Sequence, residues 1–163
     1  MIEVRHISKS FNGVKVLHDI SATFDAGKTN LIIGQSGSGK TVLMKSIIGI
    51  HRVDEGDILY GNSNFTSMNS KEVTNLRKEI GMLFQGSALF DSEENVRFPL
   101  EMFSNKPKGE WKERVDFCLN RVGLSHAAKL YPAEISGGMQ KRAAIARAIV
   151  LQPTYLFCDE PNS

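Results

Sequence analysis

The stretch Gly34-Gln35-Ser36-Gly37-Ser38-Gly39-Lys40-Thr41 decides the fold of this chain. It fits the phosphate-binding loop pattern, in which a glycine and four further residues precede Gly-Lys-Ser/Thr. The apolar residues 31–33 before it predict a short buried strand, and residues 42–50 after it predict a helix. At such a turn, glycines let backbone N–H groups and the positive end of the helix dipole face an anion. The stretch, called the phosphate loop below, therefore predicts a site for nucleotide phosphates.

Two side chains of the phosphate loop carry the expected chemistry. Lys40 would reach the β- and γ-phosphates, and the hydroxyl of Thr41 would ligate Mg²⁺. The alternative is a glycine-rich turn with a solvated lysine, which agrees less well with the predicted strand and helix on either side.

Composition predicts a single globular domain. The chain has 163 residues, of which 41% are hydrophobic and 23% charged, and its net charge of +2 gives no argument for a nucleic-acid partner. Cys118 and Cys158 are far apart in sequence, which favours two free thiols in a reducing compartment over a zinc site. There is no signal-peptide pattern and no apolar run of membrane-spanning length. We therefore expect a cytosolic protein, or one bound to a membrane through partners.

The segment before the phosphate loop predicts antiparallel β-structure. Apolar residues alternate in residues 2–6 and 20–24, and Asn12-Gly13 is typical of a hairpin turn. Phe11 stands just before this turn. It could stack on a nucleotide base or simply pack against the turn, and the sequence of this segment leaves both open.

The amino-acid composition changes at Gln85, beyond the helix that is predicted to follow the phosphate loop. Residues 80–84 predict a short buried strand that ends at Gln85. Residues 86–130 are rich in Phe and contain the only Trp, with apolar residues from Trp111 to Val122 at helical spacing. They predict a helical insertion with its own small core, which would hold most of these aromatics and leave a few exposed for a partner.

A second helix start follows at Ser136-Gly137-Gly138. Ser136 can cap the helix, and the glycines leave backbone N–H groups of its first turn accessible to an anion. An ordinary Ser-Gly-Gly loop before an amphipathic helix would explain the same residues equally well.

The last predicted strand, residues 154–158, leads directly into two carboxylates. On a chain with a phosphate loop, this arrangement is typical of a Walker B motif: Asp159 would hold Mg²⁺ and Glu160 would orient or deprotonate the attacking water. The alternative is a polar turn after a strand.

Four features follow one another along the chain: the phosphate loop, Gln85, Ser136-Gly137-Gly138 and Asp159-Glu160. Their order resembles that in the nucleotide-binding subunit of ATP-binding-cassette (ABC) transporters, and the resemblance covers essentially the whole chain. The resemblance implies an α/β fold: a P-loop NTPase core, a mixed sheet with helices on both faces, with an N-terminal antiparallel β region and an α-helical subdomain. It implies one ABC ATPase domain over 1–163, divided into 1–85, 86–135 and 136–163. The chain would be incomplete at its C-terminus, since the family's D-loop and switch histidine normally follow Walker B.

The resemblance also assigns roles to matching positions. Phe11 would stack on adenine, and Gln85 would contact Mg²⁺ and sense the transmembrane partner. Ser136, Gly137 and Gly138 would contact the γ-phosphate bound to the opposite protomer of a head-to-tail dimer. ATP and Mg²⁺ are the implied ligands, with catalytic roles for Glu160, Lys40 and Gln85.

The implied partners are a second nucleotide-binding subunit and transmembrane permease subunits, at the cytoplasmic face of the inner (plasma) membrane. No nucleic-acid partner is expected. Residues 86–91 also resemble ATPases of lipid importers of the mammalian-cell-entry type, although Met139 stands where the family usually has Gln. Two alternatives remain: a non-transport relative acting on nucleic acid or the ribosome, and a fragment that binds ATP without turnover.

Overall fold

The computed structural model describes residues 1–83, 91–104 and 107–159. The chain divides into two compact units, Met1–Asn75 and Leu76–Ser163. Within the described ranges, no helix is both long and apolar enough to cross a membrane.

The first unit is built on an antiparallel sheet. Its strands are β1 (Ile2–Phe11), β2 (Val14–Phe24), β3 (Glu55–Tyr60) and β4 (Ser63–Asn64), in the order β2-β1-β3-β4. Phe11 pairs with Val14 across the predicted hairpin turn, so the antiparallel expectation is confirmed. Helix α1 (Lys40–Ile47) contacts the sheet, and the hydroxyl of Tyr60 donates to the Ile47 carbonyl at 3.0 Å.

The second unit combines helices with a small parallel sheet. Helix α2 (Ser70–Lys78) begins in the first unit and leads into β5 (Ile80–Leu83), which pairs in parallel with β6 (Tyr155–Cys158). Between these strands lie α3 (Ser92–Phe103), α4 (Lys108–Arg121) and α5 (Gly137–Ile149). Arg114 of α4 donates to the carbonyls of Val150 and Ile149, at 2.9 and 2.8 Å, which ties α4 to the C-terminal end of α5.

The predicted core of the helical insertion was wrong in two respects. The buried cluster is shared with α5, since Ala143, Ala146 and Val150 pack with residues of α3 and α4. Its buried members are aliphatic or small. Of the predicted aromatics, Trp111 packs against the cluster and is partly buried, whereas Phe98 and Phe117 are about half exposed. The small side chains of α5 allow close helix packing.

The predicted buried strand at residues 31–33 was also wrong. Leu31 is 77% and Ile33 85% exposed, and within the described residues neither sheet includes them. An apolar run becomes a buried strand only where neighbouring strands and helices cover it, and hydrophobicity alone does not supply those neighbours.

The sheet leaves no room for a side chain at Gly56. Its φ is +84°, and a Cβ there would collide with the carbonyl oxygens of Arg5 and His6 on β1. We expect Gly56→Ala to lower the free energy of unfolding by about 3 kcal/mol or more, because backbone strain and a clash with rigid backbone add.

The matched control is Gly61→Ala. Gly61 also has a positive φ, +59°, but nothing lies within 4 Å of the position of a Cβ. This variant should lose only about 1 kcal/mol, the cost of the left-handed conformation. Urea denaturation measures both variants, and equal losses would show that the contact with β1 contributes nothing.

Candidate functional site

The phosphate loop forms an open start of α1. Gly39 is the N-cap residue, with φ +89°, and no side chain caps the helix through a hydrogen bond. Residues 31–38 are exposed. The N–H groups of the first turn are therefore not covered by a capping side chain, and an anion could bind them with the favourable helix dipole.

Lys40 lies folded over the same loop. Its Nζ donates to the carbonyl oxygens of Gly34 and Gln35, both at 2.8 Å. The ammonium group thereby lies against the loop backbone, and its partners in these contacts are carbonyl oxygens. A phosphate oxygen carries more negative charge than a carbonyl oxygen, so the ammonium group would bind a phosphate more strongly.

The predicted magnesium ligands are chemically suited to that ion. Thr41 lies in the first turn of α1 and Asp159 directly follows β6, and both offer oxygen donors, which Mg²⁺ prefers. Among the described residues, no group of three or more His, Cys, Asp or Glu side chains could hold a metal. Magnesium is commonly bound by one or two carboxylates together with substrate phosphates and water.

Phe11 stands at the end of β1 with 37% of its surface exposed. The His51 ring lies 5.1 Å away, centroid to centroid, at an interplanar angle of 76°. The Lys9 ammonium lies 5.4 Å from the Phe11 centroid and pairs with Asp54 at 2.6 Å. The contact between Phe11 and His51 could not be predicted from the sequence, because His51 lies 40 positions after Phe11.

Burial, hydrogen bonds and neighbouring charges lower the pKa of two side chains near Phe11, His51 and Asp54. Burial lowers the pKa of His51, and the positive charges of Lys45 and Lys9 lower it further. Hydrogen bonds from Lys9 and from the Ser10 N–H lower the pKa of Asp54. These shifts favour the neutral form of His51 and the ionised form of Asp54.

The second predicted helix start has the expected form. Ser136 is the N-cap of α5, and its hydroxyl accepts from the Met139 N–H at 3.3 Å. Gly137 and Gly138 are exposed, and no side chain of the described chain approaches the Cβ position of Gly137 within 4 Å. The structure places all three residues on an accessible surface at the start of a 13-residue helix.

The strand predicted before Asp159 is present as β6, and it begins at Tyr155, one residue later than predicted. Leu83 of β5 pairs with Cys158 of β6, and the Asp159 N–H donates to the Leu83 carbonyl at 3.0 Å. Parallel strands bring their carboxyl ends to one edge of a sheet, so the chain leaves both strands on the same side. Gln85 and Glu160, which follow β5 and β6 respectively, lie outside the described residues.

The candidate residues divide between the two units. Phe11 and the phosphate loop lie in the first unit, and Ser136–Gly138 and Asp159 lie in the second. The start of α1 after the phosphate loop lies in the first unit, and the start of α5 after Ser136 lies in the second.

The sequence of this chain is similar to those of known proteins. The sequence profile of the family described as ABC transporter matches residues 17–163. The probable ribonucleotide transport ATP-binding protein mkl of Mycobacterium leprae is 41% identical over 99% of this chain and 48% of its own length. The methionine import ATP-binding protein MetN of Clostridium tetani is 40% identical over all of this chain and 52% of its own length.

Solved structures agree with the sequence comparisons. The ATP-binding cassette MJ0796, in a dimeric post-hydrolysis state bound to ADP and Pi, has a TM-score of 0.89 and 28% identity, covering 99% of this chain and 75% of that one. The cbiO1 protein of Clostridium perfringens, part of the ABC transporter complex cbiONQ, has a TM-score of 0.85 and 29% identity, covering 98% of this chain and 65% of that one. The predicted fold class, a P-loop NTPase core with an antiparallel β region and helices, is confirmed.

The chain spans about half the length of the curated relatives that it matches. The profile match nevertheless covers most of its residues, and the phosphate loop, the Ser136 helix start and the Asp159 strand end lie within the matched range. The chain therefore belongs to the ABC transporter family.

Proposed function

We propose that the protein binds and hydrolyses ATP as the nucleotide-binding subunit of an ABC transporter and so powers transport through partner transmembrane subunits. The observation that carries this proposal is the exposed start of α5, Ser136-Gly137-Gly138, on a chain that also has a phosphate loop. A phosphate loop alone is shared by many nucleotide-binding proteins. A second glycine-rich helix start upstream of a Walker B strand is far more specific.

Each side chain has a role in this proposal. Lys40 and the amides of residues 34–41 hold phosphate charge, and Phe11 stacks on the adenine. Thr41, Gln85 and Asp159 would hold Mg²⁺, which when bound neutralises charge on the β- and γ-phosphates. Glu160 orients the attacking water and accepts its proton. Hydrolysis then depends on positioning and electrostatic stabilisation.

A second protomer completes the proposed site. Ser136, Gly137 and Gly138 of one protomer would contact the γ-phosphate held by the phosphate loop of the other. The likeness to a cassette solved as a dimer with ADP and Pi supports this arrangement. Two copies of the chain, or one copy and a related subunit, would bind two ATP molecules between them.

The permease subunits would dock on the helical subdomain, residues 86–135, at the cytoplasmic face of the inner (plasma) membrane. Phe98 and Met102 of α3 are about half exposed, which supports a protein contact there. For the cargo, we propose a lipid, on the resemblance of residues 86–91 to the lipid-importer ATPases. The names of the relatives point instead to ribonucleotides and methionine.

Purification of the tagged protein from detergent-solubilised membranes of its own cells tests the proposal. We expect permease subunits to co-purify, and the complex in vesicles to hydrolyse ATP faster with its cargo present. Phospholipid, methionine and a ribonucleotide are compared as cargo. Recovery with ribosomes or DNA in place of permeases would support a non-transport ATPase, and stimulation by methionine or ribonucleotide would exclude the lipid.

A further inference from the structure

We propose that His51 is a positioning residue for nucleotide binding: its ring holds Phe11 in the orientation that stacks on the base. This inference rests on the proposed function, in which Phe11 is the base platform. It assigns a role to a residue that lies outside all the sequence motifs of the site.

The backbone of β1 does not by itself fix the orientation of the Phe11 ring. It is the last residue of β1, directly before the turn at Asn12-Gly13, and more than a third of its surface is exposed. An exposed side chain at a hairpin end exchanges between rotamers within nanoseconds unless a neighbour restrains it. A ring that is already held in the stacking orientation binds a base more tightly, because fixing a mobile side chain on binding costs free energy.

His51 is itself firmly placed. Helix α1 ends at Ile47, and the chain then turns through Gly49, which has a φ of +75°. The N–H groups of Ile50 and His51 both donate to the Lys45 carbonyl, at 2.8 and 3.1 Å. The backbone of His51 is thereby attached to the last turn of the helix whose first turn carries Lys40.

The Phe11–His51 contact has the geometry of a favourable aromatic pair. The centroid separation of 5.1 Å and the interplanar angle of 76° correspond to the edge-to-face arrangement. His51 thus connects the predicted base platform on β1 to the C-terminal end of the phosphate-loop helix. The distance between the base and phosphate subsites is then set by one helix.

Lys9, two residues before Phe11 on β1, also contacts the ring. Its ammonium lies 5.4 Å from the Phe11 centroid and is fixed by Asp54 at 2.6 Å, and Asp54 also accepts from the Ser10 N–H at 2.6 Å. With Lys9 and Lys45 nearby, a neutral imidazole is the form that packs here without adding a third positive charge. The lowered pKa of His51 agrees with that requirement.

Four variants and two ligands test the inference. MgATP and magnesium tripolyphosphate, which has no base, are titrated against the wild-type protein, His51→Leu, His51→Phe, Phe11→Ala and the double variant Phe11→Ala/His51→Leu. We expect His51→Leu to weaken MgATP binding about twofold to tenfold, the range of an aromatic pair, without changing tripolyphosphate binding. His51→Phe keeps the aromatic contact and should restore MgATP affinity.

Phe11→Ala should weaken MgATP binding about fivefold to a hundredfold, as for the loss of a stacked base, and should leave tripolyphosphate binding unchanged. Adding His51→Leu to Phe11→Ala should cause no further loss. If His51→Leu weakens both ligands equally, or weakens neither, His51 does not position the platform and the inference fails. If Phe11→Ala leaves MgATP binding unchanged, the base platform itself is wrong, and this failure is distinct from a failure at His51.

Discussion

Lys40→Ala is expected to abolish tight binding of MgATP. In the structure the Lys40 ammonium donates two hydrogen bonds across the phosphate loop, to Gly34 and Gln35. A phosphate in the loop would take over these donors as charge-assisted bonds, each worth about 1.5–3 kcal/mol. Their loss corresponds to a reduction in affinity on the order of a hundredfold or more.

Isothermal titration with MgATP measures this effect, and Lys28→Ala is the control. Lys28 also bonds to an oxygen of the first unit, Asp25, but its side chain is 70% exposed, and such surface pairs contribute little. The control variant should bind MgATP like the wild-type protein. Melting curves of both variants show whether the loop substitution unfolds the protein. A folded Lys40→Ala protein with wild-type affinity would disprove the assignment of the phosphate site.

Glu160→Gln is expected to keep MgATP binding and to lose turnover. The substitution preserves shape and hydrogen-bonding capacity but removes the basic carboxylate that activates water. General base catalysis typically contributes about 10²–10⁴-fold, so phosphate release should fall by that factor. The carboxylate follows Asp159, whose backbone is fixed to the end of β5 through the bond to Leu83.

Single-turnover phosphate release in the assembled transporter measures this rate, beside a titration of MgATP binding. Asp159→Asn is the matched comparison at the neighbouring position. As a predicted magnesium ligand, it should weaken nucleotide binding in a Mg²⁺-dependent way, which Glu160→Gln should not. Normal hydrolysis by Glu160→Gln would refute the proposed mechanism. No phosphate release by the wild-type protein would favour a role in ATP binding alone.

Structural features that depend on a few consecutive residues were predicted correctly from the sequence. The hairpin at Asn12-Gly13, the N-cap at Ser136 and the strand that ends before Asp159 each depend on a few consecutive residues. Their backbone geometry follows from turn chemistry, capping and apolar runs, which act over short distances. Such features are visible in the sequence because the residues that cause them are adjacent.

Features that depend on distant neighbours were not predictable in this way. The apolar residues 31–33 suggested a buried strand, but burial depends on which elements cover a segment. The core of the helical segment includes α5, because the small residues Ala143 and Ala146 allow close approach, and the rings of Phe98 and Phe117 remain outside it. Periodicity shows which face of a helix is apolar, and it does not show which helix packs there.

The sequence by itself therefore determined the motifs: a phosphate loop, a glycine-rich helix start and a strand that ends in carboxylates. Only the tertiary structure decided how their side chains are held. It brought His51 to the ring of Phe11 and Asp54 to the ammonium group of Lys9. The physical reason is that backbone conformation at a motif is a local property, whereas side-chain orientation depends on contacts that the fold creates between distant residues.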